Sequence, residues 1–151
     1  MKKIFLAMIL VSILALGWIA LDVSSVEDRE KPSPGDWIKK DQIKVYKDKI
    51  VIELPNAEWA EFTDTNSMDP FFDSESNSIE LKPQSASQLR IGDIISYNTS
   101  LSDNIIVHRI VEINADSDGW YVIAKGDNNA RPDPEKIRFD QVQGVLVAVL
   151  Y

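Results

Sequence analysis

The stretch from Asn104 to Asn114 constrains the fold most strongly. Between those residues the chain reads Ile-Ile-Val-His-Arg-Ile-Val-Glu-Ile, and so many β-branched side chains favour an extended strand. Strand alternation places His108 on one face together with Ile106 and Ile110. Amphipathic helical periodicity is nearly absent after the N-terminus. We therefore expect a mainly β domain with long loops.

Shorter runs along the chain have the same character. The two runs on either side of Lys47-Asp48-Lys49 predict a hairpin. The next run leads towards Ser67, so we expect that serine at the exit of a strand, where side chains are often presented for function. The runs that predict strands are 43–46, 50–54, 57–63, 78–81, 94–97, 120–125 and 144–150.

The N-terminus carries an apolar stretch from Ile4 to Leu21, whose only clearly polar side chain is Ser12. As a helix it would span about 27 Å, close to the hydrocarbon thickness of a bilayer. A cleaved signal peptide is the alternative, because small residues lie near its end, but the stretch exceeds the usual apolar core of such peptides. We favour a retained anchor. The predicted domains are an anchor at 1–21, a linker at 22–41 and a β domain at 42–151.

Charge sets the expected orientation and excludes some partners. Lys2 and Lys3 precede the apolar stretch and acidic residues follow it, which places the N-terminus in the cytoplasm and the domain outside the plasma membrane. The formal net charge of -8 disfavours nucleic acid as a partner. Without cysteine there is no disulfide and no thiolate metal site. We expect no cofactor and no metal.

Ser67 and His108 are the candidates for nucleophile and base. A serine hydroxyl attacks a carbonyl only if a base takes its proton and donors stabilise the oxyanion. His108 is the single histidine, and histidine titrates near neutral pH. Each also has a plain structural explanation, a Ser-x-x-Pro turn for Ser67 and a core histidine for His108.

A histidine base needs an acceptor at its other ring nitrogen, which fixes the tautomer. Asp127 and Asp133 lie in one loop and both qualify. Turn chemistry explains either aspartate equally well, because Asp-Asn-Asn and Pro-Asp-Pro both suit tight turns. The residues alone leave the choice open.

Four segments in order resemble the motifs of type I signal peptidases. They are Ser67-Met68-Asp69-Pro70, Gly92-Asp93-Ile94-Ile95, Val107-His108-Arg109-Ile110-Val111, and Lys125-Gly126-Asp127-Asn128-Asn129 followed by Asp133. The resemblance is to the branch of archaea, the endoplasmic reticulum and some spore-forming bacteria, in which histidine replaces the lysine base. It covers roughly Trp59 to the C-terminus.

The resemblance implies a membrane-anchored serine endopeptidase that removes signal peptides from exported preproteins on the outer face of the membrane. It also implies an antiparallel, barrel-like β-sheet and makes residues 42–151 the catalytic domain. It implies Ser67 as nucleophile, His108 as base and Asp133 as the third member, with Asp127 as a supporting residue beside the site. Thr65 and the Ser67 backbone N–H would form the oxyanion hole. Met68 and Pro70 would contact substrate. Preproteins and membrane lipid are then the partners, and a need for accessory subunits stays open.

The chain departs from the family pattern at two places, and other functions remain as alternatives. Asn66 stands where the family usually has glycine, and the segment after Pro70 lacks the usual Gly-Asp, which puts the substrate range in question. The chain could be a processing peptidase for few substrates, or an anchored β module that binds extended peptides without catalysis. A self-cleaving regulator fits poorly, because position 108 is not lysine.

Overall fold

The computed structural model describes residues 30–151. The predicted anchor at 1–21 and the first part of the predicted linker lie outside the described residues. Among the described residues, no helix is long and apolar enough to cross a membrane. The chain separates into two compact units, Met1–Lys31 and Pro32–Tyr151.

The second unit is built from antiparallel β-strands, and the mainly β prediction is confirmed. No α-helix occurs among residues 30–151, which contain only three short 3-10 turns besides the strands. The strands are β1 (Ile43–Val45), β2 (Ile50–Ile52), β3 (Ala57–Glu61), β4 (Asn77–Leu81), β5 (Ile94–Thr99), β6 (Ser102–Asp116), β7 (Gly119–Lys125) and β8 (Val142–Leu150).

The strands form two sheets. β1 and β2 pair as the predicted hairpin, and the other six form one sheet in the order β3-β4-β8-β5-β6-β7. β8 thus inserts between β4 and β5, and the two ends of the sheet are β3 and β7. β6 is long enough to pair with β5 through its first half and with β7 from Arg109 onward. The first half of β6 therefore has one unpaired edge.

Side chains from the two faces of the large sheet build two apolar clusters. Successive β5 residues divide between them, because alternation sends Ile94 to one face and Ile95 to the other. The larger cluster contains Ile95, Tyr97 and Ile110, and the smaller one contains Ile94 with Met68 and other residues. His108 pairs with Ile95 across the strands and so lies on the face of the larger cluster.

Part of the predicted linker packs against this sheet. The Asp93 carboxylate accepts hydrogen bonds from the Gly35 backbone N–H (2.7 Å) and from the Trp37 indole (3.1 Å). Trp37 also packs against the larger apolar cluster. The predicted boundary at residue 42 therefore lies inside the compact unit, because a tryptophan in the polar segment before it supplies core contacts.

Candidate active site

A cavity of about 620 Å³ lies between two unpaired strand edges. One wall is the run 58–63, which belongs to β3 and the residues after it, and β3 pairs only with β4. The other wall is the run 103–108 in the first half of β6. Both walls contribute consecutive residues, whose side chains point to alternate faces, so the cavity follows the backbone edges. Ser67 and His108 both line it.

Ser67 lies in a turn, and the prediction that it directly follows a strand is wrong. β3 ends at Glu61, and a loop separates it from the serine. Asn66 adopts a left-handed backbone with φ of 56°. Asparagine tolerates this conformation better than most residues, which explains how the chain manages without the usual glycine. The Asp69 N–H then closes the turn on the Asn66 carbonyl at 3.3 Å.

His108 is held by Asp133, one of the two aspartates that the sequence nominates. The His108 Nδ1 and Asp133 Oδ2 atoms are 2.7 Å apart. A proton on Nδ1 donates to the carboxylate, which leaves Nε2 of the neutral ring as an acceptor. The Asp133 backbone N–H bonds the Ala124 carbonyl at 2.8 Å, which fixes the loop against β7. The pair can therefore present a basic ring nitrogen in a fixed orientation.

Tyr97 completes this arrangement and was not nominated from the sequence. Its hydroxyl donates to the same Asp133 oxygen at 2.7 Å. Burial, and then the hydrogen bond and charge of Asp133, raise the pKa of Tyr97, so the hydroxyl stays protonated and remains a donor. One signal could have indicated it: a tyrosine inside an apolar strand needs a polar partner for its hydroxyl.

Asp127 pairs with Arg109, the residue that follows His108. Two hydrogen bonds join them, from Nε to Oδ1 at 2.9 Å and from Nη2 to Oδ2 at 2.7 Å. Arg109 Nη1 also donates to the carbonyls of Pro32 and Gly92. Neighbouring strand residues point to opposite faces, so Asp127 and Asp133 are bound on opposite sides of β6.

The turn that carries Asp127 also supports the serine loop. The Asn128 N–H donates to the Ser67 carbonyl at 2.9 Å, and the Asn128 side chain donates to the Asn66 carbonyl. Gly126 is required at this contact, because a Cβ there would lie 2.7 Å from the Ser67 carbonyl oxygen. One loop therefore holds both the candidate nucleophile and, through Asp133, the candidate base.

The remaining nominated residues divide between the cavity and the surface. Thr65 Oγ1 lies 3.2 Å from Ser67 Oγ, and Thr65 lines the cavity. Met68 is buried, lines the cavity and accepts the Asp127 N–H at its sulfur. Pro70 is exposed and lies outside the cavity lining, and a cis peptide bond precedes it. Within the described residues, no hydrogen bond joins Ser67 to His108.

No group of three or more acidic or imidazole side chains in residues 30–151 is arranged to hold a metal ion. Comparison of the chain with protein-family models, with curated proteins and with solved structures finds no match. What the site does must therefore be inferred from its own geometry and from the motifs in the sequence.

Proposed function

We propose that this chain is a membrane-anchored serine endopeptidase that removes signal peptides from exported preproteins. The observation that carries the proposal is that His108, hydrogen-bonded to Asp133, lines the same cavity as Ser67. In this mechanism Nε2 of His108 takes the serine proton as Oγ attacks the scissile carbonyl. The imidazolium, stabilised by Asp133, then returns the proton to the leaving amine.

The oxyanion would be stabilised beside the serine. Thr65 is the first proposed donor, and its hydroxyl lies 3.2 Å from Ser67 Oγ, beside the reacting atom. The Ser67 backbone N–H is the second proposed donor, and removing one such donor typically costs about 3–4 kcal/mol of transition-state stabilisation. Apo hydrogen bonds are often long and tighten when substrate binds, so the missing bond from Ser67 to His108 does not count against the mechanism.

The cavity suits an extended peptide. The edges of β3 and β6 face it with backbone groups that no neighbouring strand of the sheet pairs, and a substrate strand could bond to them. In that bound state the sheet would close into the barrel-like form that the family resemblance implies. Residues 1–21 would anchor the enzyme, with the β domain outside the plasma membrane.

The test is cleavage of a preprotein that carries an Ala-x-Ala junction by the full chain in detergent. The wild type should yield the mature product, and Ser67→Ala should yield none while its melting temperature stays within a degree or two. Ser117→Ala is the matched control, because Ser117 is exposed in the turn between β6 and β7. This variant should cleave the preprotein as the wild type does. Wild-type turnover by Ser67→Ala would end the serine-protease proposal.

A second function is a module that binds extended peptides without cutting them. The open edges of β3 and β6 beside the cavity are the observation that favours it, because an extended peptide can bond to them without any catalytic residue. The same assay separates the two functions. A preprotein that binds the wild type and is never shortened would support the binding module.

A further inference from the structure

The floor of the cavity contains a buried carboxyl group that the proposed chemistry does not use. Glu80 on β4 is only 8% exposed, and its Oε2 accepts a hydrogen bond from Ser96 on β5 at 2.6 Å. β8 lies between these two strands, so the glutamate side chain reaches across it. Both residues line the same cavity as Ser67.

The chain makes room for this carboxyl group at Gly144 of β8. A Cβ at that position would lie 2.5 Å from Glu80 Oε2 and 3.1 Å from Ser96 Oγ. Any side chain at 144 would therefore displace the carboxyl group from the floor. The other oxygen, Oε1, bonds no other group among residues 30–151, which leaves one acceptor available to a molecule in the cavity.

The charges around the cavity are almost all of one sign. Burial raises the pKa of Glu80 despite the opposing effect of the Ser96 hydrogen bond, and the charge of Glu58 raises it further. A buried carboxylate of this kind is stabilised most by a cation that replaces the lost water. Among residues 30–151, no lysine or arginine lines the cavity, and His108 is the one basic side chain that does. The acidic lining residues are Glu58, Glu61, Asp73, Glu80 and Asp103.

We infer that Glu80 determines specificity, by pairing with a lysine or arginine side chain of the peptide segment that lies between β3 and β6. This inference rests on the proposed function, since it assigns the substrate class of the same site. The backbone of the bound segment follows the two strand edges, and alternate side chains point to the floor. One of these carries its positive charge to Glu80 Oε1, while the acidic walls attract the rest of a basic segment.

The test measures binding without cleavage. Full-length Ser67→Ala protein in detergent is titrated with fluorescent peptides that span an Ala-x-Ala junction and carry lysine or glutamine at one position at a time. At one or more positions the lysine peptide should bind about tenfold more tightly than its glutamine partner, as expected for a hydrogen-bonded charge. Adding Glu80→Gln should bring the ratio close to one.

The matched control adds Glu112→Gln instead, because Glu112 is an exposed carboxylate of β6 outside the cavity. The protein with Glu112→Gln should keep the full preference for the lysine peptide. A preference that survives Glu80→Gln, equal binding of lysine and glutamine peptides at every position, or no binding of any peptide would overturn the inference.

A separate assay, cleavage of the preprotein by the wild type, tests the proposed function. Cleavage together with equal peptide binding would leave the endopeptidase standing and remove the role of Glu80. Lysine-selective binding that depends on Glu80, without any cleavage, would support the subsite and end the endopeptidase proposal. Melting temperatures of all variants show whether Glu80→Gln still folds, and a structural role alone would not change the ratio of lysine to glutamine binding.

Discussion

Two neighbouring residues of β6 are each paired with an aspartate of the same loop, and the two pairs differ in the number of hydrogen bonds and in the chemistry of the basic group. In the His108–Asp133 pair, His108 lines the cavity, and the two side chains are 9% and 18% exposed. The Arg109–Asp127 pair is enclosed on the other face, at 8% and 6%. A single hydrogen bond joins Asp133 to the His108 imidazole, which can lose a proton. Two hydrogen bonds join Asp127 to the Arg109 guanidinium, which stays charged.

The difference separates a pair that can do chemistry from a pair that supports structure. An imidazole can accept and return a proton within a catalytic cycle, whereas a guanidinium in a protein cannot be deprotonated. Arg109 instead links Asp127 to the carbonyls of Pro32 and Gly92 and so joins three segments of the chain. The predictions below test this division of roles.

The largest effect is expected from Asp133→Asn. Asparagine occupies the same space but cannot stabilise an imidazolium or select its tautomer in the same way, so turnover should fall by about four orders of magnitude. The melting temperature should change little. Preprotein cleavage and thermal unfolding on the same sample measure both quantities. Near-normal turnover would remove Asp133 from the proposed mechanism.

Asp127→Asn should lower stability, whereas Asp133→Asn should lower turnover. Removing one charge of a buried pair leaves the Arg109 guanidinium uncompensated, and the typical cost is about 3–5 kcal/mol of unfolding free energy. Chemical denaturation measures this loss, with Asp118→Asn as a control because that carboxylate is 80% exposed. If turnover of the remaining folded protein vanished at unchanged stability, the roles of the two aspartates would be reversed.

Tyr97→Phe tests whether Asp133, which bonds the His108 imidazole, also needs the hydrogen bond from the Tyr97 hydroxyl. The change removes one buried hydroxyl that donates to Asp133, and we expect a loss of about 1 kcal/mol in stability and a several-fold fall in kcat. KM should not change, because Tyr97 does not line the cavity. A higher KM at constant kcat would contradict a positioning role.

The smallest effect is expected at the far end of β6, where Asp116 bonds Arg138 and Lys136. The hydrogen bond from Lys136 is the main cause that lowers the pKa of Asp116 from 3.8 to about 2. A lowered pKa means that the stabilisation is present above pH 3.8 and is lost as the pH falls towards about 2.

Asp116→Asn should therefore reduce the melting temperature slightly at pH 7. The difference from the wild type should shrink as the pH falls through that window, which melting curves at several pH values would measure. A reduction as large as that of Asp127→Asn would show that burial does not set the difference in stability between the Asp116 and Asp127 ion pairs.

Much of the fold could be predicted because the strands carry local signals. β-branched alternation located β6, and the charged turn at 47–49 located the hairpin. The order of strands in the large sheet could not be predicted in this way. The insertion of β8 between β4 and β5 depends on contacts between residues far apart in the chain, and periodicity contains no information about them.

The candidate site, like the fold, could be predicted only where the signal is local in the sequence. His108 and the two aspartates follow from what a base requires, but only the structure separates the aspartates, by placing Arg109 beside Asp127. Tyr97 and Glu80 were not nominated, because their meaning comes from partners on other strands. The prediction that Ser67 lies at a strand exit is wrong, because a sequence pattern locates a strand more reliably than it locates the strand's last residue.

The unpaired edges that border the cavity also affect how copies of this domain meet. An open β edge is a template for any extended chain, including another copy of the same protein. The cavity side of β3 carries Glu58 and Glu61, and the facing stretch of β6 carries Asp103. Edge-to-edge contact between copies would bring these carboxylates together, at an energetic cost that is greatest at low ionic strength. The placement of charge therefore favours a solitary molecule in dilute salt while leaving the edges accessible to a strand of opposite charge.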